Sequence, residues 1–417
     1  MWWHSLVRRG EIVKTIVKSS IILTVLVTVI ALLGISCAKP AAPPAALKWD
    51  KIVIPVAANL SGPYGAQSQL VINGLTDCLG YVNEQGGVRG VPLEFLIRDT
   101  AGKPDNALNI FNEFMNMQPK PAIISFLDSG DGVSLKQRFV EEKVVNVTGG
   151  TTKALYPPGY SFAIWTESGD QFGAFCDYIV EKDAPKKPKL AILTWDNVFG
   201  NVILEQRCLD YAKSKGIDIV STQLFNVMDP TVADQLKKIK DAKAEWVYTN
   251  TLLIGPARIN NDAITLGIQD KMKWGLIGTG ISYNTMALGK GMEGWIGPSP
   301  WASWDETNIQ GIQVAEQQFQ KNNRESNERQ NVYIGAFISA LLMKQTFEKA
   351  VDKYGWAGVT GENVFKVLEE TKDFDAMGLT KMSFSPELRH GLYYKMYEVK
   401  QGKILPLTDW RQATHLK

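Results

Sequence analysis

The chain has 417 residues, more than one ordinary domain holds. Apolar residues make up 45% and charged residues 21%, the balance of a folded soluble protein. Its 45 basic and 43 acidic residues leave a net charge of +2 with no basic block, which argues against a nucleic-acid partner.

In chain order, the first element is an apolar run, "IILTVLVTVIALLGI" (21–35), preceded by Arg8, Arg9, Lys14 and Lys18. It is shorter than the ~20 residues a spanning helix needs. Basic residues, an apolar run and then small residues read as an export signal. The break follows in "GISCAKPAAPPAA" (34–46). A cysteine after small Ser36 resembles a bacterial lipoprotein signal. That resemblance implies a signal peptide over 1–36, a lipid on Cys37 and an extended Pro/Ala tether over 37–49. Gly34 stands where such signals usually carry Leu, so an uncleaved membrane anchor is the other reading. Either one places residues 50–417 outside the cytoplasm, on a membrane.

From residue 51, β-branched runs alternate with helical periods. Strands are predicted at 51–59, 91–100, 122–130 and 144–150, with helices at 67–85, 103–117 and 133–143 between them. Gly86-Gly87 fits the stop of the first helix. The pattern restarts after residue 168, with helices at 169–182, 201–216, 231–243 and 257–267 and strands at 189–197, 218–226, 245–251 and 273–280. Two more helices, 332–355 and 361–374, precede a hairpin over 393–410 that turns at Gln401-Gly402. The alternation predicts an α/β chain with parallel sheets covered on both faces. Cys78 shares a helix face with Val71, Leu75 and Val82, which suits a core thiol. Cys176 and Cys208 could pair in an oxidising compartment. His4, His390 and His415 are far apart in the chain, and no Cys/His spacing suits a metal. No metal and no cofactor are expected.

"NLSGPYG" (59–65), "NEQGGVRGVPLEFLIRDTAGKPDNA" (83–107), "GMEGWIGPSPW" (291–301) and "SFSPELRHG" followed by "YEVKQGKILPLTDW" occur in this order. Together they resemble the extracytoplasmic solute-binding proteins of ABC importers, in the leucine/isoleucine/valine-binding, type I periplasmic binding protein branch. The resemblance covers nearly all of residues 50–410. It implies two doubly wound parallel-sheet lobes joined by three hinge crossings, with 50–168 plus 302–382 in lobe 1 and 169–301 plus 383–417 in lobe 2. It also implies a monomer that closes on a small-molecule solute and is read by the permease and ATPase subunits of an importer.

Open α/β sheets bind ligands beyond the C-terminal ends of their strands. In lobe 1 those ends carry Tyr64, Asp128, Ser129, Gly150 and Thr152. The resemblance implies that Ser129, Gly150 and Thr152 hold a ligand carboxylate through backbone N–H and hydroxyl donors; ordinary βα turns are the other reading. A phosphate cradle is not expected, because Gly-x-x-x-x-Gly-Lys-Ser/Thr is absent and 275–280 lacks the dinucleotide spacing. In lobe 2 the resemblance places walls at Phe199 and Leu252, beside Trp195. It also places Gly280 where amino-acid binders keep an acid for the ligand's ammonium. A buried unpaired ammonium costs several kcal/mol. Either another acid replaces it or the ligand has no α-ammonium, so weak or absent binding of branched-chain amino acids is expected. Asp128 is the candidate replacement, with a helix N-cap as its alternative role. Trp165, Trp301, Trp304 and Tyr333 are candidates for cavity walls or for hinge packing. No histidine stands at a strand end and no Gly-x-Ser-x-Gly occurs, so an enzyme is not expected. A sensor feeding a signalling partner would share the same binding chemistry.

Overall fold

A computed structural model describes residues 49–149, 155–157 and 159–417. The predicted signal and tether with Cys37, and the predicted ligand residues Gly150 and Thr152, lie outside the described residues.

The first lobe runs through β1 (Ile52–Ala58), α1 (Gly65–Glu84), β2 (Leu93–Asp99), α2 (Pro104–Met115), β3 (Ile123–Phe126), α3 (Ser129–Ser134), α4 (Lys136–Glu141), β4 (Val145–Thr148) and β5 (Ser161–Thr166). The second continues with α5 (Ser168–Asp183), β6 (Lys189–Trp195), α6 (Gln206–Ser214), β7 (Asp218–Phe225), α7 (Ala233–Asp241), β8 (Trp246–Thr249), α8 (Ile254–Thr265), β9 (Lys273–Leu276), α9 (Tyr283–Leu288) and β10 (Ile296–Ser299). The chain returns to the first lobe with α10 (Gln310–Lys321), α11 (Asn331–Tyr354), α12 (Gly361–Glu369), β11 (Phe374–Asp375), β12 (Lys381–Met382) and β13 (His390–Gly391). It ends on the second with β14 (Tyr393–Lys400), β15 (Lys403–Pro406) and β16 (Arg411–Gln412).

The first sheet has the order β13-β5-β4-β3-β1-β2 and the second β15-β14-β10-β9-β8-β6-β7. Strands β1 to β5 pair in parallel, as do β6 to β10. β3, β4, β5 and β8 are buried along their whole length, as strands covered by helices on both faces must be. In each sheet the strand order reverses once, between β1 and β3 and between β6 and β8. Those reversals open a crevice at the strands' C-terminal ends.

Local sequence explains the covering helices. Pro104 opens α2 in the first turn, where no N–H is needed. Ile110, Phe111 and Phe114 then recur on one face and pack on Phe126 and Phe139. The longest helix, α11, lies against α1. A Cβ on Gly74 would come 2.4 Å from the Tyr333 carbonyl oxygen, so glycine permits that close approach.

The chain passes between lobes after β5, after β10 and after β13, the three crossings the resemblance implies. The third lies later than residue 383. Phe384 is fully buried in the first lobe's core, edge-on to Phe162 at 5.3 Å, and His390 pairs with Ala163 of β5. The aromatic pairing keeps this segment with the first lobe until Gly391. Cys78, Cys176 and Cys208 are separate buried thiols, and Cys176 and Cys208 are not bonded to each other.

One buried charge ties α1 to the return segment. Asp77 accepts from Arg324 Nε and Nη2 at 2.9 and 2.7 Å, and from the Tyr333 hydroxyl at 2.8 Å. Arg324→Ala would leave that carboxylate buried without its cation. We expect a loss of about 3 kcal/mol in urea unfolding. A loss within experimental error would show that the ion pair holds nothing together.

Candidate ligand-binding site

The loop after β1 is shaped from the neighbouring strand. Asp99, at the end of β2, accepts from the backbone of Leu60, Ser61 and Ala101 and from the Ser61 hydroxyl. Donation by Ser61 and these amides holds the Asp99 carboxyl at about 2. The loop so held delivers Tyr64 to the mouth of the crevice. Burial and the field of Asp128 raise the Tyr64 phenol above its ordinary value, so it stays neutral.

After β3, Asp128 accepts the Gly130 N–H at 2.7 Å and caps α3. The cap role is therefore real, and it fixes one carboxylate oxygen. After β4, a Cβ on Gly149 would come 2.8 Å from the ring of Trp165, so glycine lets that indole lie against the strand end. Trp165 is in turn packed on Trp301, with centroids 5.4 Å apart.

The second lobe supplies the opposing wall. Beyond β6, Asn197 accepts the Gly200 N–H at 2.7 Å, which orients its amide. Its Nδ2 then donates to the Tyr64 hydroxyl across the crevice at 3.2 Å. Trp195 faces Tyr64 with ring centroids 6.3 Å apart. Beyond β8, Leu253 adopts φ +46° and ψ −95°, a strained conformation for a branched residue. The turn it makes, closed by Gly255 N–H to the Leu252 carbonyl at 2.9 Å, aims the chain back toward the crevice at Leu252.

These ends enclose a cavity of about 260 Å³ between the lobes. That lies near the lower end of the ~300–1,000 Å³ of small-molecule sites. Tyr64, Val71, Leu127, Trp165 and Val332 of the first lobe and Trp195, Phe199 and Leu252 of the second give it apolar and aromatic walls. Three of its lining groups are buried polar atoms without a hydrogen-bond partner: Trp165 Nε1, Trp195 Nε1 and Thr279 Oγ1. Orphaned donors are rare in interiors and call for an explanation.

The structure brings Tyr64, Asp128, Ser129, Phe199 and Leu252 together around this cavity. Gly280 is not in its lining, and its neighbour Thr279 is. A Cβ on Gly280 would come 2.7 Å from the Thr251 carbonyl oxygen and 3.1 Å from Leu276 Cδ1. The position is packed against the wall's interior, so it marks the wall without facing the solute. Trp301, Trp304 and Tyr333 belong to the first lobe's core and are not walls. Asn197, Gln67, Ser68 and Thr279 were not singled out from sequence. Only Thr279 carried a signal, as a hydroxyl beside the expected position. His390 and His415, distant in the chain, meet with ring centroids 5.2 Å apart, away from the cavity lining.

Residues 51–403 match the profile of the periplasmic binding protein family. The chain belongs to that family. A Leu/Ile/Val-binding protein of Citrobacter freundii is 24% identical over 200 residues, covering 47% of this chain and 53% of the relative. A Leu/Ile/Val-binding protein homolog of Brucella melitensis is 25% identical over 207 residues, covering 49% and 55%. This periplasmic binding protein thus spans about half the length of the curated relatives it matches. Among solved structures, a branched chain amino acid ABC transporter protein from Thermus thermophilus with bound valine superposes with a TM-score of 0.80 at 20% identity, covering 88% of this chain and 98% of that one. A fatty acid ABC transporter substrate-binding protein from Thermomonospora curvata gives 0.75 at 17% identity, covering 88% and 94%. A solute binding protein from R. palustris in complex with 4-hydroxybenzoate gives 0.73 at 18% identity, covering 87% and 98%. These likenesses establish the two-lobed α/β fold.

Two outcomes follow from this geometry. An acid at position 280 has no room to reach the solute. Gly280→Asp should cost about 1–3 kcal/mol of stability, and should confer no leucine binding by calorimetry; a stable, leucine-binding variant would overturn this placement. The second concerns Asp131, buried just behind Asp128. Burial, and then the charge of Asp128, push its carboxyl up to about 7. A folded value above the unfolded one means that folding takes up a proton between about pH 4 and pH 7, so this group lowers stability as pH rises through that window. Asp131→Asn should therefore stabilise the protein at pH 8, by about 1–2 kcal/mol after solvent screening, and do little at pH 4. Equal effects at both pH values would refute it.

Proposed function

We propose that this periplasmic binding protein is the extracytoplasmic solute receptor of an ABC importer. It is exported, held at the membrane through lipid on Cys37, and closes its two lobes on a small organic solute for the permease and ATPase subunits to read. The solute carries a carboxylate or amide end on an apolar body, and no enzymatic step is involved.

One observation carries this reading. The cavity between the strand reversals has aromatic walls, and its orphaned buried groups are two indole N–H donors and one hydroxyl. Indole N–H groups can only donate, so they ask for an acceptor on the ligand. The acid in the lining, Asp128, has one oxygen engaged as a cap, and Gly280 supplies no second acid. That combination favours a solute without an α-ammonium. The solutes named for the relatives above share a carboxylate: a fatty acid and 4-hydroxybenzoate carry it without an α-ammonium, and valine carries both. Ser129 belongs to the same lining, and Gly150 and Thr152 follow directly on the Gly149 strand end, so we assign this end of the cavity to the acceptor group as well.

Mass spectrometry of solute released from the natively purified protein identifies the ligand, and thermal-shift screening against aromatic acids, aliphatic acids, amides and amino acids ranks the classes. We expect aromatic or aliphatic acids to raise the melting temperature and branched-chain amino acids to leave it nearly unchanged. Trp165→Phe and Trp195→Phe keep an aromatic wall, of smaller area, and remove the donor. Each should weaken binding roughly tenfold, the value of one hydrogen bond to a charged acceptor. Tight leucine binding that survives Asp128→Asn and both Trp→Phe changes would defeat this reading.

A further inference from the structure

A second polar cluster lies beside the crossings and contributes nothing to the solute cavity. It contains His390 on β13, Asp170 in the first turn of α5 and His415 in the C-terminal tail. His390 is 1% exposed and Asp170 fully buried. His390 Nδ1 lies 2.9 Å from the Gly391 carbonyl oxygen. A carbonyl only accepts, so Nδ1 carries the proton. In the neutral ring Nε2 is then a bare acceptor. It has no hydrogen-bond partner, and it faces Asp170 Oδ2 at 3.6 Å. The carboxylate is an acceptor too. It takes the Leu416 N–H on Oδ1 at 2.7 Å, and His415 Nδ1 stands 3.0 Å from Oδ2.

Two acceptors pointed at each other in a dry interior need positive charge between them. The nearest cation, Arg207, does not supply it. Arg207 pairs with Glu167 and Glu205 and donates to the Leu416 carbonyl, so its charge is already matched; its nearest approach to Asp170 is 4.0 Å.

We propose that Asp170, His390 and His415 form a binding site for one divalent transition-metal ion, Zn²⁺ in the first place. Their candidate ligand atoms all lie within 4.8 Å of one another. Around zinc at about 2.0–2.1 Å, tetrahedral neighbours sit about 3.3 Å apart, and the two distances to Asp170 Oδ2 bracket that spacing. Two imidazoles and a carboxylate suit zinc and its neighbours and not magnesium or calcium. The supporting contacts are those a ligated site needs: the other nitrogen of His390 donates to a carbonyl, and the other oxygen of Asp170 accepts a backbone N–H. His415 is half-buried, which leaves a path for the ion and a place for a solvent ligand. The three ligands come from the segment after the first crossing, the strand before the third, and the tail. A bound ion would therefore cross-link both lobes at the hinge. This inference does not depend on the identity of the solute.

The test uses the full chain without an affinity tag, stripped with a chelator and then titrated with Zn²⁺ against a chromophoric competitor, and separately with Co²⁺. We expect one ion per chain at micromolar affinity or tighter, a raised melting temperature, and visible Co²⁺ absorption of a low-coordinate nitrogen and oxygen site. Because His390 and Asp170 are both buried, His415→Gln carries the mutational test, with the isosteric Asp170→Asn as a second variant. Each should weaken uptake by roughly tenfold or more while the folded spectrum is retained. Absence of saturable uptake by the folded chain overturns the proposal, and so does uptake that His415→Gln leaves unchanged. A nitrogen-15 spectrum showing His390 doubly protonated at neutral pH, and unmoved by Zn²⁺, overturns it as well.

Discussion

Everything at the cavity depends on where the strand order reverses. Each parallel sheet winds outward in two directions from one pair of strands. At that pair, the loops beyond the strands part and cannot cover each other. The three crossings turn the two sheets so that both reversals open on one space. Tyr64 and Asp128 come from the β1 and β3 ends of one sheet, and Trp195 and Leu252 from the β6 and β8 ends of the other. The walls are therefore a product of topology. Their chemistry is then free to vary with a few loop residues.

The hinge side is built with a different material. Glu306, just past the second crossing, accepts from Lys395 and Tyr397 on β14, just past the third. Thr380 donates to the Pro300 carbonyl at 2.7 Å, and Tyr283 to Asp305 at 2.6 Å. Such polar ties fix the crossings relative to one another without a continuous apolar seam. A seam of that kind would resist bending, because packed interiors deform poorly. Polar side chains can exchange partners with water as the lobes move. Apolar cores hold each lobe rigid, and between the lobes hydrogen bonds act beside a few aromatic contacts such as Tyr64 with Trp195.

Most of this architecture was legible in the chain. The alternation of β-branched runs with 3.6-residue periods places β1 to β4, β6 to β9 and most of the longer helices, because burial on both faces leaves a strong mark; β5, α9 and α10 are not marked in this way. The third crossing was harder to read. Phe384 looks like part of the terminal ribbon until Phe162, far away in sequence, is seen beside it. The candidate site was legible as a set of strand ends, and Tyr64, Asp128, Ser129, Phe199 and Leu252 do line one cavity. It was less legible in side-chain direction. Gly280 lies in the turn that carries Thr279 of the cavity lining, but the Thr251 carbonyl occupies the space a side chain would need. Nor does any local pattern announce that His390 and His415 meet, since their contact depends on the path of the tail around α5.

The Asn197–Tyr64 contact bears on the balance between open and closed lobes. It joins the lobes through the protein's own groups, so it favours closure whether or not a solute is present. A net contribution of about 0.5–1.5 kcal/mol multiplies the closed population by a factor of roughly 2 to 12. Solute capture then begins from a partly prepaid equilibrium, and apparent affinity rises by a similar factor. The same prepayment narrows the contrast between empty and loaded protein. A membrane partner that reads closure alone would meet a background of unloaded closed receptors, so discrimination has to rest on how long closure lasts.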